Sequence, residues 1–177
     1  MFDIRKIQEQ VIFTAVKEES NEPTALTIID GKQEDNPTWV KNTMKRLEEN
    51  FDAPTAKKIR MNCQCGYAMD EKLALVKELM ANASNLEEFA NQDKAKAAGL
   101  SYRDGGLYLM FPFCPCPMLA EVDKLPTSTW CQCTTGYSKV LFEKAFGCEV
   151  EVDLLKSIKM GDDICLMKII PRGNIQF

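Results

Sequence analysis

Apolar residues recur at helical spacing through the first hundred positions of this 177-residue chain. Between Ile4 and Ala15 they lie on one face of a helix. A second apolar stripe follows Asn36-Pro37, which is a helix-start signal because proline suits the first helical position. In the polar loop between these two stripes we expect residues 26–29 to form a short strand. The pattern predicts that residues 1–99 are mainly helical.

The hydrophobic period changes after residue 99. Residues 100–111 predict a tight hairpin, because Asp104-Gly105 is typical of a two-residue hairpin turn. Residues 136–146 predict an amphipathic helix, and residues 149–170 predict a second hairpin. We therefore expect an α+β fold, in which the helical N-terminal half is followed by an antiparallel sheet that the helix covers.

Composition and charge narrow the class of protein. The length fits a single domain over residues 1–177, with 1–99 as its helical part and 100–177 as its hairpin-helix-hairpin part. The net charge of -4 argues against a nucleic-acid partner, and we interpret Lys57, Lys58 and Arg60 as one solvated helix face. No apolar run is long enough to span a bilayer, and the N-terminus lacks a secretory pattern. We expect a cytoplasmic protein that binds neither nucleic acid nor membrane.

Six of the eight cysteines form three Cys-X-Cys pairs, and the chain contains no histidine. The pairs are Cys63/Cys65, Cys114/Cys116 and Cys131/Cys133, whereas Cys148 and Cys165 stand alone. Two thiols separated by one residue share a face of an extended backbone, so that a pair can direct both sulfurs to one place. For the lone cysteines we expect packing roles, since reduced cysteine behaves as a small apolar residue.

A metal site is the first interpretation of the pairs. Cys114, Cys116, Cys131 and Cys133 supply the four thiolates that structural zinc prefers. Cys63 and Cys65 add two more sulfurs, and a set of six is also compatible with an iron–sulfur cluster. The cofactor expected from the sequence is therefore zinc, with an iron–sulfur cluster as the alternative.

Catalysis and redox exchange are the other interpretations. Cys65 and Cys133 each come just before a Gly-Tyr and a predicted helix, whose N-terminus would stabilise a thiolate nucleophile. The usual histidine base is missing, which weakens this interpretation. A disulfide within a Cys-X-Cys pair would be strained and labile, as a redox switch requires.

An apolar ligand pocket is a further candidate. Leu109, Phe111 and Phe113 lie beside the cysteine-rich loop, and Tyr137 adds a polar group. Core filling is the competing explanation for the same residues. The ligand we expect is a small apolar or carboxylate molecule. The sequence is also compatible with a homodimer.

The last 40 residues carry a pattern that resembles a known family. It consists of Gly136-Tyr137, Phe142-Glu143, Gly147, Val150, Val152, Ser157-Ile158, Gly161-Asp162 and Cys165. This stretch resembles the end of the 4-vinyl-reductase domain family, and its Gly-Asp-X-X-Cys ending is similar to that of thiazoline-carboxylate hydrolase-like proteins. The first resemblance implies an α/β sandwich that binds a small hydrocarbon-like ligand. Ser157 stands where that pattern has a cysteine.

The leading hypothesis is thus a small-molecule-binding or sensory module with a cysteine-thiolate metal site. The alternatives are a thiol-dependent hydrolase of a small sulfur- or nitrogen-containing carboxylate, or a Cys-X-Cys redox switch. We also expect sulfurs of different pairs to converge, with helix N-termini and a metal ion as the positive charges that offset them.

Overall fold

The computed structural model describes residues 2–177 and is mixed α+β, with eight α-helices followed for the most part by four strands. The helices are α1 (Ile4–Glu19), α2 (Glu22–Ile28), α3 (Asn36–Asn50), α4 (Ala53–Met61), α5 (Met69–Ala81), α6 (Leu86–Asn91), α7 (Asp93–Ala97) and α8 (Gln132–Phe146). The strands are β1 (Leu100–Arg103), β2 (Gly106–Phe111), β3 (Val150–Lys156) and β4 (Cys165–Pro171). None of the helices in residues 2–177 is both long and apolar enough to cross a membrane.

The N-terminal helices begin where polar side chains cap them. Asp35 accepts a hydrogen bond from the Thr38 amide at the start of α3, and Asp52 accepts one from the Thr55 amide at the start of α4. These bonds satisfy backbone N–H groups that have no partner inside the helix. A proline in the first turn of each of these helices fixes a helical φ where no N–H is needed.

The expected strand over residues 26–29 is wrong, because this segment is the end of helix α2. Asn21 caps α2 by accepting a 2.9 Å hydrogen bond from the Thr24 amide, and Pro23 occupies its first turn. The apolar side chains of Ala25 and Ile28 are then buried. Asn21 and Pro23 form a helix-start signal of the same kind as the one before α3. The apolar run that follows them is too short to distinguish a helix from a strand.

Two compact units divide the chain. The first unit contains residues 2–65, 114–136 and 159–161, and the second contains residues 66–113, 137–158 and 162–177. Each has its own cluster of buried apolar side chains. All six paired cysteines belong to the first unit, whereas Cys148 and Cys165 belong to the second. The expectation of a single domain stays a prediction.

The second unit is built on a four-stranded antiparallel sheet in the order β1-β2-β4-β3. Both expected hairpins are present in it, and Asp104 and Gly105 take the positive φ values that the tight turn requires. One face of the sheet carries the apolar side chains, and Leu141, Phe142 and Phe146 of α8 pack in the same buried cluster. The predicted α+β fold class is therefore confirmed.

Candidate functional site

The structure places each cysteine pair at a different element of the first unit. Cys63 and Cys65 follow the end of α4, and Cys114 and Cys116 lie in the loop between residues 112 and 117. Helix α8 begins earlier than expected, so that Cys131 directly precedes it and Cys133 lies in its first turn. All eight cysteines carry reduced thiols.

Gly136 brings the first turns of α8 against the end of α4. A Cβ atom at position 136 would lie only 1.9 Å from the backbone oxygen of Met61, so the contact requires glycine. This approach sets Cys133 beside Cys63, and the Cys133 thiol donates a hydrogen bond of 3.0 Å to the Cys63 carbonyl oxygen. The first and third cysteine pairs are therefore adjacent.

Arg60, on the last turn of α4, is completely buried. Its Nη2 atom donates to the backbone oxygen of Trp130 at 2.9 Å, and its Nη1 atom donates to Oε1 of Gln8 at 3.4 Å. Its Cζ atom lies 4.2 Å from the centroid of the Trp130 ring, which is a cation–π distance. Within residues 2–177 no carboxylate forms an ion pair with Arg60, and its Nε atom has no hydrogen-bond partner.

The expectation that Arg60 belongs to a solvated face is therefore wrong. Lys57 and Lys58 are exposed as expected, but Arg60 continues the apolar face of α4 that Ala56 and Ile59 begin. This position, four residues after a buried alanine, was the sequence signal that could have identified it. The sequence interpretation also overlooked Arg60 as a source of positive charge for the thiols.

Cys63, Cys116 and Cys133 lie within electrostatic reach of Arg60. Burial raises the pKa of each of these thiols, and the positive charge of Arg60 offsets part of this rise. The pKa of Cys133 rises to about 11, to which the neighbouring Cys63, Cys116 and Cys65 also contribute. We call Arg60 with Cys63, Cys116 and Cys133 the cysteine–arginine cluster, and it takes one cysteine from each pair.

Trp130 connects the cluster to the core of the first unit. Its ring packs edge-on against Trp39 at a centroid distance of 5.9 Å, and its Nε1 atom donates to the sulfur of Cys116 at 3.5 Å. Cys114 and Cys131 are partly buried and pack against the same core. Within residues 2–177 no group of three or more Cys, Asp or Glu side chains stands in an arrangement that could hold a metal ion.

The two candidate nucleophiles differ in their surroundings. Cys133 lies at a helix N-terminus as expected, but burial outweighs the helix dipole and raises its pKa, so that the thiol form dominates near neutral pH. Cys65 is partly exposed and precedes the turn that leads into α5. Ala68 precedes the first residue of that helix, Met69, and its side chain provides no capping hydrogen bond.

The four residues proposed for an apolar pocket lie in the second unit. Leu109 is buried in its core on the same strand face as Phe111, whereas Phe113 is 60% exposed. The hydroxyl of Tyr137 donates to the backbone oxygen of Tyr67 at 2.7 Å. A cavity of about 580 Å³ in this unit is lined by other residues. That Leu109, Phe111, Phe113 and Tyr137 line a ligand pocket stays a prediction.

The lone cysteines occupy the second unit. Cys165 is buried on β4, opposite Phe111 on β2, and its sulfur accepts a hydrogen bond from the Ile158 amide at 3.5 Å. Cys148 is partly buried beside the apolar core of that unit. Both positions fit the expected packing roles.

The raised pKa of Cys133 predicts a loss of stability at alkaline pH. The folded protein holds this proton more tightly than the unfolded chain, so the stabilisation is fully present below the usual value of 9.0 and is lost as the pH rises to about 11. We expect the free energy of unfolding of the metal-free protein to fall by about 2 kcal/mol over this interval from Cys133 alone. Urea titrations at several pH values measure this decline.

Cys133→Ser is the matched control, because serine does not ionise in this range. The variant should show a shallower decline than the wild type, since other alkaline groups are common to both. Two parallel curves would contradict the raised pKa.

The fold and the site together define an α+β protein whose helical unit encloses a buried cysteine–arginine cluster. The chain belongs to a family of unknown function (DUF6144), whose model matches residues 1–176. No curated protein and no solved structure matches the chain. The resemblance of the last 40 residues to the 4-vinyl-reductase domain family, and of their ending to thiazoline-carboxylate hydrolase-like proteins, stays a prediction.

Proposed function

We propose that this protein is a metal-binding module, with a small-molecule-binding or sensory role, in which cysteine thiolates of the first unit hold zinc or the iron of an iron–sulfur cluster. The observation that carries the proposal is that one cysteine from each Cys-X-Cys pair lies within electrostatic reach of the buried Arg60. Thiolates bind soft metal ions, and no histidine competes for this role in the chain.

Metal binding would offset two unfavourable contributions to the free energy of the cluster, the ionisation of buried thiols and the burial of the Arg60 charge. Thiols buried together resist ionisation, and a metal ion supplies the positive charge that stabilises their thiolate forms. Arg60 is a buried cation without a carboxylate partner, which is costly unless an anionic group lies nearby. Thiolates bound to a metal would supply that negative charge.

Binding also requires local rearrangement of side chains. The Cys133 thiol is engaged with the Cys63 carbonyl oxygen, and the Cys63 thiol donates to the Ile59 carbonyl oxygen at 3.0 Å. Both bonds must be exchanged for metal bonds when the protons leave. The proposal requires that these side chains leave their present rotamers by rotation about the Cα–Cβ bond.

Zinc binding to the purified, untagged protein tests the proposal. We expect about one equivalent of zinc or a cluster of iron per chain, and a rise in the midpoint of thermal unfolding when zinc is added to metal-free protein. Cys148→Ser, outside the first unit, should retain metal, whereas Cys133→Ser should lose most of it. Less than roughly 0.2 equivalents, with no thermal shift on adding zinc, would contradict the proposal. A brown colour with acid-labile sulfide would assign an iron–sulfur cluster rather than zinc.

The two alternatives have weaker support. A hydrolase needs a thiol that ionises easily, and burial has the opposite effect on the pKa of Cys133. A rate of alkylation that rises with a midpoint well below about 8.5 at Cys65 or Cys133 would favour the hydrolase. Reversible loss of two thiols with mild peroxide, in metal-free protein, would favour the redox switch.

A further inference from the structure

We propose that the cavity of about 580 Å³ in the second unit is a binding site for a small carboxylate that has an apolar body. This inference rests on the small-molecule role in the proposed function and gives that role a place in the fold. It does not depend on a metal in the first unit. The cavity is also separate from the four residues that the sequence pattern favoured for a pocket, which do not line it.

Three parts of the second unit line the cavity. They are the sheet beside the β1–β2 turn, residues 84–86 at the start of α6, and the irregular segment that follows β4. In the sheet, Tyr102 of β1 pairs with Leu107 of β2, and Leu107 pairs with Ile169 of β4. The volume falls within the range of about 300 to 1,000 Å³ that is typical of small-molecule sites. The cavity can therefore hold a small organic molecule.

Leu86, Tyr102 and Ile175 supply the apolar part of the lining. Each packs against the buried apolar cluster of the second unit and is itself only partly buried. These side chains therefore keep apolar surface at the cavity. A ligand with an apolar body removes that surface from water when it binds, which is the main favourable contribution to its affinity.

The polar part of the lining consists of neutral groups and one charged side chain. Ser84, Asn85 and Asn174, together with the hydroxyl of Tyr102, supply neutral hydrogen-bonding groups. Lys168 is the charged side chain, and no Asp, Glu or Arg side chain joins it in the lining. A negatively charged group on the ligand is therefore favoured over a positively charged one.

The stem of Lys168 passes beside Gly106, which itself lines the cavity. A Cβ atom at position 106 would lie only 3.2 Å from Cε of Lys168. The ammonium group, which follows Cε, therefore lies at the rim of the cavity. Lys168 and Ile169 are consecutive on β4 and point to opposite faces of the sheet. We expect the ligand body to lie on the Ile169 face and its carboxylate to turn towards the rim.

Lys168 shares the ring of Tyr108 with a second cation. Nζ of Lys168 lies 5.9 Å from the ring centroid, and Cζ of Arg103 lies 4.5 Å from it. Within residues 2–177 no carboxylate forms an ion pair with either cation, although Asp153 is the cross-strand neighbour of Lys168. Two cations at one ring repel each other, and a carboxylate beside Lys168 offsets that repulsion. This local excess of positive charge is the argument for an anionic ligand.

Phenylbutyrate is the probe that tests the site, because it joins a carboxylate to an aromatic ring through a short apolar chain. Amide NMR spectra of the isotope-labelled full chain should show shifts concentrated at the residues that line the cavity, with a dissociation constant below about 1 mM. Phenylbutanol is the matched probe without the charge. We expect it to bind about two- to fivefold more weakly, which is the effect of losing an exposed ion pair.

Ile175→Asp tests the location of the site. Aspartate places a charge in the apolar part of the lining and should weaken the binding of both probes by at least about tenfold. Gln176→Asp is the matched control, because it adds the same charge at the next residue, which is exposed and does not line the cavity. This control should leave both dissociation constants within about twofold of the wild-type values.

Lys168→Met tests the charge. It should weaken the binding of phenylbutyrate by about two- to fivefold and leave that of phenylbutanol unchanged. Lys77→Met removes an exposed lysine of the same unit outside the cavity and should change neither affinity. Far-ultraviolet circular dichroism and urea unfolding of each variant verify that it folds.

The outcomes distinguish this inference from the proposed function. Absence of shifts at the lining residues, or binding in Ile175→Asp as tight as in the wild type, would overturn the site. If Ile175→Asp does not fold, the pattern of shifts in the wild type decides the location. Equal affinity for the two probes, or unchanged phenylbutyrate affinity in Lys168→Met, would overturn the preference for a carboxylate. Failure to bind zinc would overturn the proposed metal and leave this site standing, and failure to bind phenylbutyrate would leave the proposed metal standing.

Discussion

Gly136→Ala should unfold the protein at markedly lower urea concentration than the wild type. Helix propensity alone predicts the opposite, since alanine in a helix is more stable than glycine by about 1 kcal/mol. The added Cβ, however, would lie 1.9 Å from the backbone oxygen of Met61 and 2.6 Å from its Cα. Both partners are backbone atoms of helices, which cannot yield by changing a rotamer. We expect a loss of about 3 kcal/mol in the free energy of unfolding, the upper end of the usual cost of overpacking.

Lys144→Ala on the exposed side of α8 is the control for this variant. It introduces the same residue into the same helix and should change the free energy of unfolding by less than about 0.5 kcal/mol. A Gly136→Ala protein as stable as the wild type would show that α8 does not approach α4 as closely as described.

Trp130→Ala should cost about 3 to 5 kcal/mol of the free energy of unfolding. The Trp130 side chain is 1% exposed and contacts both Trp39 and the guanidinium of Arg60. Its removal opens a cavity in the core of the first unit and withdraws the aromatic face from a buried cation. Urea titration followed by far-ultraviolet circular dichroism measures the loss without depending on tryptophan fluorescence.

Trp130→Phe separates packing from hydrogen bonding. Phenylalanine keeps most of the aromatic surface and loses the Nε1–H that donates to the sulfur of Cys116. We expect it to cost less than half of the Trp130→Ala loss. Equal losses in the two variants would mean that the indole N–H, rather than the ring, holds this part of the core.

The fold could be predicted where local chemistry decides the structure. The turn at Asp104-Gly105 is such a case, because few residues other than glycine, asparagine and aspartate accept a positive φ. The start of α3 is another, because Asp35 and the following Asn-Pro fix its first turn. Helix α2 was missed although Asn21 and Pro23 gave a comparable signal, because its seven residues carry too short an apolar pattern to distinguish a helix from a strand.

The candidate site could be predicted only in part. The Cys-X-Cys spacing marked the cysteines as candidates, but no local signal shows which sulfur of a pair is buried. Arg60 was the main omission, since a charged residue on a helix beside Lys57 and Lys58 is usually solvated. Its burial depends on Gln8 and Trp130, which are 52 and 70 residues away in the chain. The raised pKa values depend on the same tertiary burial.

Those sequence separations also determine when the site can exist during synthesis. After Arg60 has been added to the growing chain, the ribosome must add another 70 residues before Trp130 can offer its backbone oxygen to Arg60. Cys133 is added later still. Because long loops must close before such distant contacts form, the cluster assembles late in folding. A chain truncated before residue 130 lacks Trp130, whose backbone oxygen accepts from Arg60, and it also lacks Cys131 and Cys133. On the proposed function, bound metal would therefore mark chains whose synthesis has passed this point, and prematurely terminated chains would remain empty.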